Sequence, residues 1–423
     1  MRSRASKNAV AAVSAGLAIC LIAWLGLGRW MPWQDYNLEA RPAFDALLGG
    51  HLLQFLQIAP GYGGSLLMRA PFVLIGRLAG GGALAIERAA AAPCLLASAV
   101  FAVWLLARMR ALGRGRTAMA LAVFLCAANP ITLVAVWQGH PEDLLGAVLC
   151  VAAVLLAMDG RPVLSGVLLG LAIANKEWAL LATGPVLLAL PDRRPRALLS
   201  AVAVAAVFTV PFVLAGGGFV TSVKSAAVNV GGIFQPWQVW WFFGSHAHAV
   251  KGACCSVKAG YRTSPGWVET IAHPLIVALT VPLTLLCGLL RRRGCRRPRH
   301  DALLLLVLLL LLRCLLDPWD TLYYSLPFLL ALLAWETLTF ARPPWVALAA
   351  PFVAWFIYDE AVPYSLSRGL QAETFLVVAI PALITIAVAL YVPGLTTQIA
   401  ARARRGVRPD IRPRGARPAD SAG

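Results

Sequence analysis

Continuous apolar runs recur along the whole chain, each about as long as a bilayer core is thick. They fall at about 9–28, 86–107, 117–137, 143–158, 197–215, 267–290, 301–316, 322–341, 344–361 and 373–393, with a longer apolar block at 162–190. About 20 such residues in helical form cross a hydrocarbon core of roughly 30 Å. In lipid every backbone N–H and C=O must find its partner inside the protein, which leaves only α-helices and closed β-barrels. Barrel strands alternate apolar and polar residues, and these runs do not alternate. The expected fold is therefore an all-α polytopic membrane protein.

Charge is scarce and unevenly placed. Hydrophobic residues make up 60% of the 423 and charged ones 13%, yet the net charge is +18. Such a balance raises a nucleic-acid partner, but the arginines cluster in short segments between apolar runs, as cytoplasmic loops do, so none is expected. The tail from 395 to 423, "ARARRGVRPDIRPRGARPAD" within it, is basic and proline-rich without apolar periodicity. It reads as a disordered cytoplasmic tail able to touch anionic head groups. The cysteines lie mostly inside apolar runs as small hydrophobes, and neighbouring Cys254 and Cys255 suggest neither a disulfide framework nor a metal site. The first apolar run ends in "GRWMPWQDY" without a small-residue cleavage site, so it is expected to remain as helix one.

Charge parity orders the spans. Helix one has its basic flank before it and should run outward. If "GSLLMRAPFVLIGRLAG" (64–80) lies along the interface and 162–190 forms a hairpin turning near Asn175–Lys176, every strong arginine cluster falls inside. Those clusters are "RMRALGRGR" (108–116), "DRRPR" (192–196), "RRRGCRRPRH" (291–300) and the tail. About twelve helices result, both termini inside, with a membrane domain over 1–394. The rival topology lets 64–80 span and makes 162–190 one helix.

The polar residues then converge on the outer face. The first outer loop, 29–85, carries Asp35, Glu39, Arg41, Asp45 and His51. "WQGHPED" (137–143), the Lys176–Glu177 tip, the long outer loop 216–266 and "DPWDTLYY" (317–324) join it. Charges near lipid are costly and tend to line a cavity or substrate path. Phe44, Leu47, Leu48, Leu52, Phe55 and Leu56 recur at helical spacing, which predicts an amphipathic interfacial helix over 38–57. The aromatic run "WQVWWFF" (237–243) fits either bilayer anchoring or stacking on a sugar or polyprenyl chain.

An acidic residue just past helix one, followed by two juxtamembrane helices, resembles the GT-C superfamily of membrane glycosyltransferases. "WQGHPEDLLGAVLCVAAVLLA" followed by "GVLLGLAIANKEWALLATGPVLLAL" is similar to glycosyltransferase family 87, the actinobacterial polyprenol-phosphate-mannose-dependent α-mannosyltransferases and their relatives. The resemblance implies a GT-C-like fold, an inverting transfer on the outer face of the cell membrane, a polyprenyl-phosphate-linked donor and a glycolipid or glycan acceptor. The family's first-loop aspartate, its proposed base, matches Asp35. Its "QGHP" turn matches Gln138–Pro141, and its helix-tip lysine matches Lys176. The acids in "PED" and "KEW", and a first loop unlike the family's "PP" segment, depart from its pattern.

Transfer from a lipid phosphate needs one base for the acceptor hydroxyl and cations for the leaving phosphate, unlike the paired carboxylates of glycosidases. Asp35 is the expected base. Glu39, one helical turn on, is either its orienter or a helix-start acid. His140 and Lys176 are expected to hold the donor phosphate, against the alternatives of a helix cap and a snorkelling lysine. Gln138, Glu142 and Asp143 crowd the His140 turn. Asp317 and Asp320 read as caps of the helix near 321, while Arg313, Tyr323 and Tyr324 are read as lining a donor groove. Lys224, Trp240, His246 and His248 contribute from the long loop. No metal is expected, although Asp35 with Glu142 or Asp143 is an alternative metal pair, and His246 and His248 lack a third ligand. A lipid or sugar transporter (flippase) and a polysaccharide polymerase or ligase are the competing functions.

Overall fold

The computed structural model describes residues 35–127, 129–220, 233–246, 261–292, 300–358 and 366–392. Helix one, the basic tail, most of the 291–300 cluster, Lys224, Cys254, Cys255 and His248 lie outside these residues. The described chain is helical nearly throughout, and its helices follow the apolar runs closely. Seven of them are long and apolar enough to cross a membrane: Ala83–Ala111, Arg116–Trp137, Pro141–Met158, Arg194–Ala215, Gly266–Arg291, Leu322–Thr339 and Arg368–Tyr391. Shorter apolar helices are Pro162–Asn175, Glu177–Ala189 and Trp345–Ile357. The strands Ile233–Phe234, Arg262–Thr263 and Ser245–His246 form one small antiparallel sheet beside the aromatic turn Val239–Phe243.

Two helices form the centre. Pro141–Met158 and the leucine-rich Asp301–Leu316 are buried along nearly their whole length. A helix apolar on all sides has to be covered on all sides, by protein or by lipid. Here other helices supply the cover, while Arg194–Ala215, Gly266–Arg292 and Arg368–Tyr391 turn large apolar side chains outward. The buried cysteines Cys94, Cys126, Cys150, Cys287 and Cys314 are unbridged and sit among these apolar contacts.

The block 162–190 is a hairpin. Pro162–Asn175 ends at Lys176, whose extended backbone (φ −155°, ψ 138°) breaks the helix, and a tight 3-10 turn Glu177–Ala182 starts the return limb. The outgoing limb runs parallel to Arg194–Ala215 along a glycine seam. A Cβ on Gly166 would lie 2.2 Å from the Ala197 carbonyl oxygen, and one on Gly170 would lie 2.5 Å from that of Ala201. Small residues spaced by four let the two backbones touch, the usual device where lipid gives no hydrophobic push between helices.

This hairpin sorts the two ends of the bundle. Arg108 pairs with Asp159, and Arg291 Nη1 donates to the Leu188 carbonyl (2.6 Å), so the ends of four helices meet at a basic pole. Lys176 lies at the opposite pole. Helix Gly63–Leu78 stays near that second pole. Gly64 abuts Ala174 next to the hairpin tip, and Gly76 abuts Ala89 in the second turn of Ala83–Ala111. Both its ends thus lie near that pole.

The single helix expected over 38–57 is two helices. Arg41–Leu48 stops at Gly49–Gly50, where Gly50 is left-handed (φ +80°), and Leu52–Ile58 restarts after His51. Glycine adopts that conformation without a Cβ penalty, which makes it the common helix terminator. Phe44 and Phe55 face inward as the periodicity predicts, but the new direction leaves Leu52 and Leu53 exposed.

Candidate active site

The turn "QGH" brings the first loop to the bundle. Helix Pro130–Trp137 ends at Gln138, and the Gln138 carbonyl accepts the Asp35 backbone N–H at 3.1 Å. Gly139 is left-handed (φ +93°), and a Cβ there would lie 2.4 Å from the Tyr36 backbone nitrogen. His140 then begins Pro141–Met158 without any side-chain cap. Its ring instead bridges two acids. Nε2 meets Asp35 Oδ2 at 3.0 Å, and Nδ1 meets Glu142 Oε1 at 2.7 Å.

Gly139 therefore fixes the spacing between Asp35 and His140. Gly139→Ala adds both a left-handed strain and a backbone clash. We expect the activity of the site to fall about 100-fold, since an ångström of misplacement costs that much. The fold should survive, because the clash lies in a turn at the end of the bundle. Initial rates with circular dichroism check this; a fully active variant would deny Gly139 the spacing role.

Behind His140 lies a buried charge network. Glu142 is fully buried, 3.4 Å from Arg69 Nη1 and 3.6 Å from Lys176 Nζ. Lys176 also meets Asp143 Oδ2 at 2.9 Å, and the Trp178 indole donates to Asp143 Oδ1 at 3.1 Å. Asn175 donates to the Glu142 carbonyl at 2.8 Å, tying the hairpin tip to the helix start. Burial opposes the imidazolium of His140, but the Glu142 charge and the hydrogen bonds to Asp35 and Glu142 outweigh it and raise its pKa from 6.5 to about 9. It is thus a cation at neutral pH, donating from both nitrogens. Burial likewise opposes the Lys176 charge, and Asp143 and Glu142 more than restore it, so the ammonium persists. Three acids (Asp35, Glu142, Asp143) face three cations (His140, Arg69, Lys176).

Tyrosines enclose the cations. The Tyr323 ring stacks on His140 at 4.6 Å, and Tyr62 meets the same ring edge-on at 6.1 Å. Lys176 Nζ lies 5.2 Å from the Tyr62 ring centre and 6.0 Å from that of Tyr324. Burial, then the charges of Glu142 and Glu39, push the Tyr62 phenol above its usual range, so it stays protonated and donates to Glu39 Oε2 at 2.7 Å. Glu39 is thereby held off the Asp35–His140 pair.

A divalent ion does not fit this network as built. His140, Glu142 and Asp143 offer ligand atoms within 4.8 Å of one another. The Lys176 ammonium, however, already sits between the two carboxylates. A metal would have to displace it.

The structure thus gathers Asp35, Gln138 (through its backbone), His140, Glu142, Lys176 and Tyr323 in one place, with Tyr324 and Glu39 at its edge. Trp240 is elsewhere. It is buried, donates from Nε1 to the Leu316 carbonyl at 2.8 Å, and packs against Phe243 and Trp267. The His246 side chain is outside the described residues. Asp317 and Asp320 do not simply cap a helix. Asp317 meets His273 at 3.6 Å and Arg313 at 4.0 Å, while Asp320 accepts from the Tyr358 hydroxyl. Sequence reasoning assigns no role in the site to Arg69, Gly139, Tyr62 or Trp178. The available signal is Arg69 itself, a permanent cation inside an apolar helix that must have a buried acid near it.

The sequence profile of glycosyltransferase family 87 matches residues 71–318. No curated protein matches the chain. The profile covers the turn, the hairpin and the helices that carry His140, Glu142, Asp143 and Lys176.

Proposed function

The chain belongs to glycosyltransferase family 87, and from that premise we propose that it is a polyprenyl-phosphate-sugar-dependent inverting enzyme with Asp35 as general base. Mannose is the proposed sugar, and a glycolipid or cell-envelope glycan the proposed acceptor. The observation that carries this reading is the Asp35 carboxylate. Oδ2 is held by the His140 cation, Oδ1 has no hydrogen bond among the described residues, and the side chain is 43% exposed. A fixed, half-open carboxylate beside a buried charge network is what a base for an incoming hydroxyl requires.

The chemistry follows from those roles. Asp35 takes the acceptor proton as the acceptor oxygen attacks the anomeric carbon. The bond from that carbon to the phosphate oxygen breaks, and polyprenyl phosphate leaves with the electron pair. His140 stays protonated and fixes the Asp35 orientation. One displacement with one base inverts the anomeric centre. The leaving phosphate is already an anion, so no second carboxylic acid is needed, in contrast to glycosidases.

The site pole is proposed as the extracytoplasmic end and the basic pole as the cytoplasmic one, in keeping with the positive-inside rule. The catalytic unit is taken as 1–394, with 395–423 as a cytoplasmic tail. To test the reading, purified protein is offered labelled polyprenyl-phosphate-mannose or nucleotide-linked mannose together with glycolipid acceptors. Transfer from the lipid-linked donor alone is expected. Transfer from the nucleotide sugar would replace the donor assignment, and movement of the lipid across vesicles without glycosylated product would favour a flippase.

A further inference from the structure

We propose that Arg313, beside the rings of Trp178 and Tyr324, is the residue that binds the anionic phosphate of the donor. This rests on the lipid-phosphate reading of the same site. His140 and Lys176 are the sequence candidates for that task, but each is already matched by buried acids. Lys176 is 2.9 Å from Asp143 and 3.6 Å from Glu142, and His140 lies between Glu142 and Asp35. A network of three acids and three cations attracts no further anion. Arg69 is sealed, with its side chain wholly inaccessible and Glu142 against it.

Arg313 differs on each count. Its nearest described carboxylate, Asp317, is 4.0 Å from Nε, and its one described hydrogen bond is a long one (3.5 Å) from Nη1 to the Tyr324 carbonyl. Asp317 is itself shared, meeting His273 Nε2 at 3.6 Å and accepting the Trp319 backbone N–H at 3.0 Å. Asp320 accepts from the Tyr358 hydroxyl, and burial pushes its carboxyl above the usual range. The Arg69 nitrogens are buried without hydrogen-bond partners, but no Arg313 nitrogen is stranded in that way. Its Nη2 has no partner among the described residues, and the side chain keeps 6% of its surface accessible where that of Arg69 keeps none.

Two aromatic rings lie beside the cation. The guanidinium carbon is 4.2 Å from the Tyr324 centroid and 5.3 Å from that of Trp178. Both rings lie within cation–π range of a planar guanidinium, whose N–H fork suits a phosphate bidentately. Tyr324 also lies beside Lys176, and Trp178 holds Asp143. The proposed phosphate contact is thus one ring away from the network that orients Asp35.

Binding separates this role from a structural one. The protein in uncharged maltoside micelles is titrated calorimetrically with decaprenyl phosphate, decaprenol and inorganic phosphate. Wild type should prefer decaprenyl phosphate over both others. Arg313→Gln should weaken decaprenyl phosphate binding by about 30-fold, the worth of charge-assisted hydrogen bonds, and leave decaprenol unchanged. Arg313→Lys should fall between. Asp317→Asn, which frees the cation, should tighten binding about threefold or more. If Arg313 only pairs with Asp317, both single variants weaken binding together, and the proposal fails. Arg313→Gln binding like wild type also overturns it. Inorganic phosphate binding as tightly as the lipid would overturn the donor assignment. A wild type indifferent between decaprenyl phosphate and decaprenol removes the lipid-phosphate reading along with this one.

Discussion

Asp35→Asn is expected to lower the rate of sugar transfer by about 10²–10⁴-fold, the range for loss of a positioned base. The substitution is nearly isosteric, and the amide oxygen it introduces can still accept from His140 Nε2, which lies 3.0 Å from the native carboxylate. The loss should therefore appear in kcat, with the donor KM little changed, because only an interaction made in the transition state is gone. Glu39→Gln serves as the control acid. Its carboxylate is occupied by Tyr62, so its activity should remain near that of wild type. Saturating-donor initial rates for the three proteins decide the point. Equal transfer by wild type and the Asp35 variant would remove Asp35 from the base role.

The largest effect on stability should come from Glu142→Gln. The side chains of Glu142 and Arg69 are both wholly inaccessible. Neutralising the acid leaves Arg69 buried without its partner and takes one of two carboxylates from Lys176. Breaking a buried pair by removing one member costs about 3–5 kcal/mol, far more than the pair contributes over an apolar replacement. The double variant Glu142→Gln with Arg69→Met should recover most of that loss, since the orphaned charge goes too. Thermal unfolding in detergent measures all three. An unshifted single variant, or a double variant worse than the single, would contradict the pairing.

Much of the fold is legible in the sequence because lipid is an exacting solvent. The spans at 86–107, 143–158 and 301–316 can be read from apolar length, and the hairpin at Lys176 from arginine parity. The nearness of Asp35, His140 and Lys176 is legible for a related reason: charges in so apolar a chain have few tolerable positions. What cannot be read is the division of labour among them. Glu142 is the hub of a self-neutralised network, and that depends on Arg69 arriving from a helix 73 positions earlier (142 against 69). Helix packing sets such a meeting, and no local spacing encodes it. The break at Gly49–Gly50 escapes the pattern because apolar periodicity continues across it, although the glycine pair itself marks a helix end. Trp240 shows the converse. Its place in an aromatic run suggests a ligand surface, yet its indole satisfies a buried carbonyl.

The glycine seam between Pro162–Asn175 and Arg194–Ala215 bears on how substrates enter. Backbones in direct contact at Gly166 and Gly170 cannot slide or rock without opening voids or colliding with carbonyls. Lys176, at the end of that seam, is therefore an anchored post and not a moving gate. The first loop is braced on the same seam: Phe55 packs edge-on against Phe212 at 5.7 Å, and Gln57 Nε2 donates to the Ala215 carbonyl at 3.4 Å. The loop that carries Asp35 and the hairpin that carries Lys176 are thus held against one helix, Arg194–Ala215.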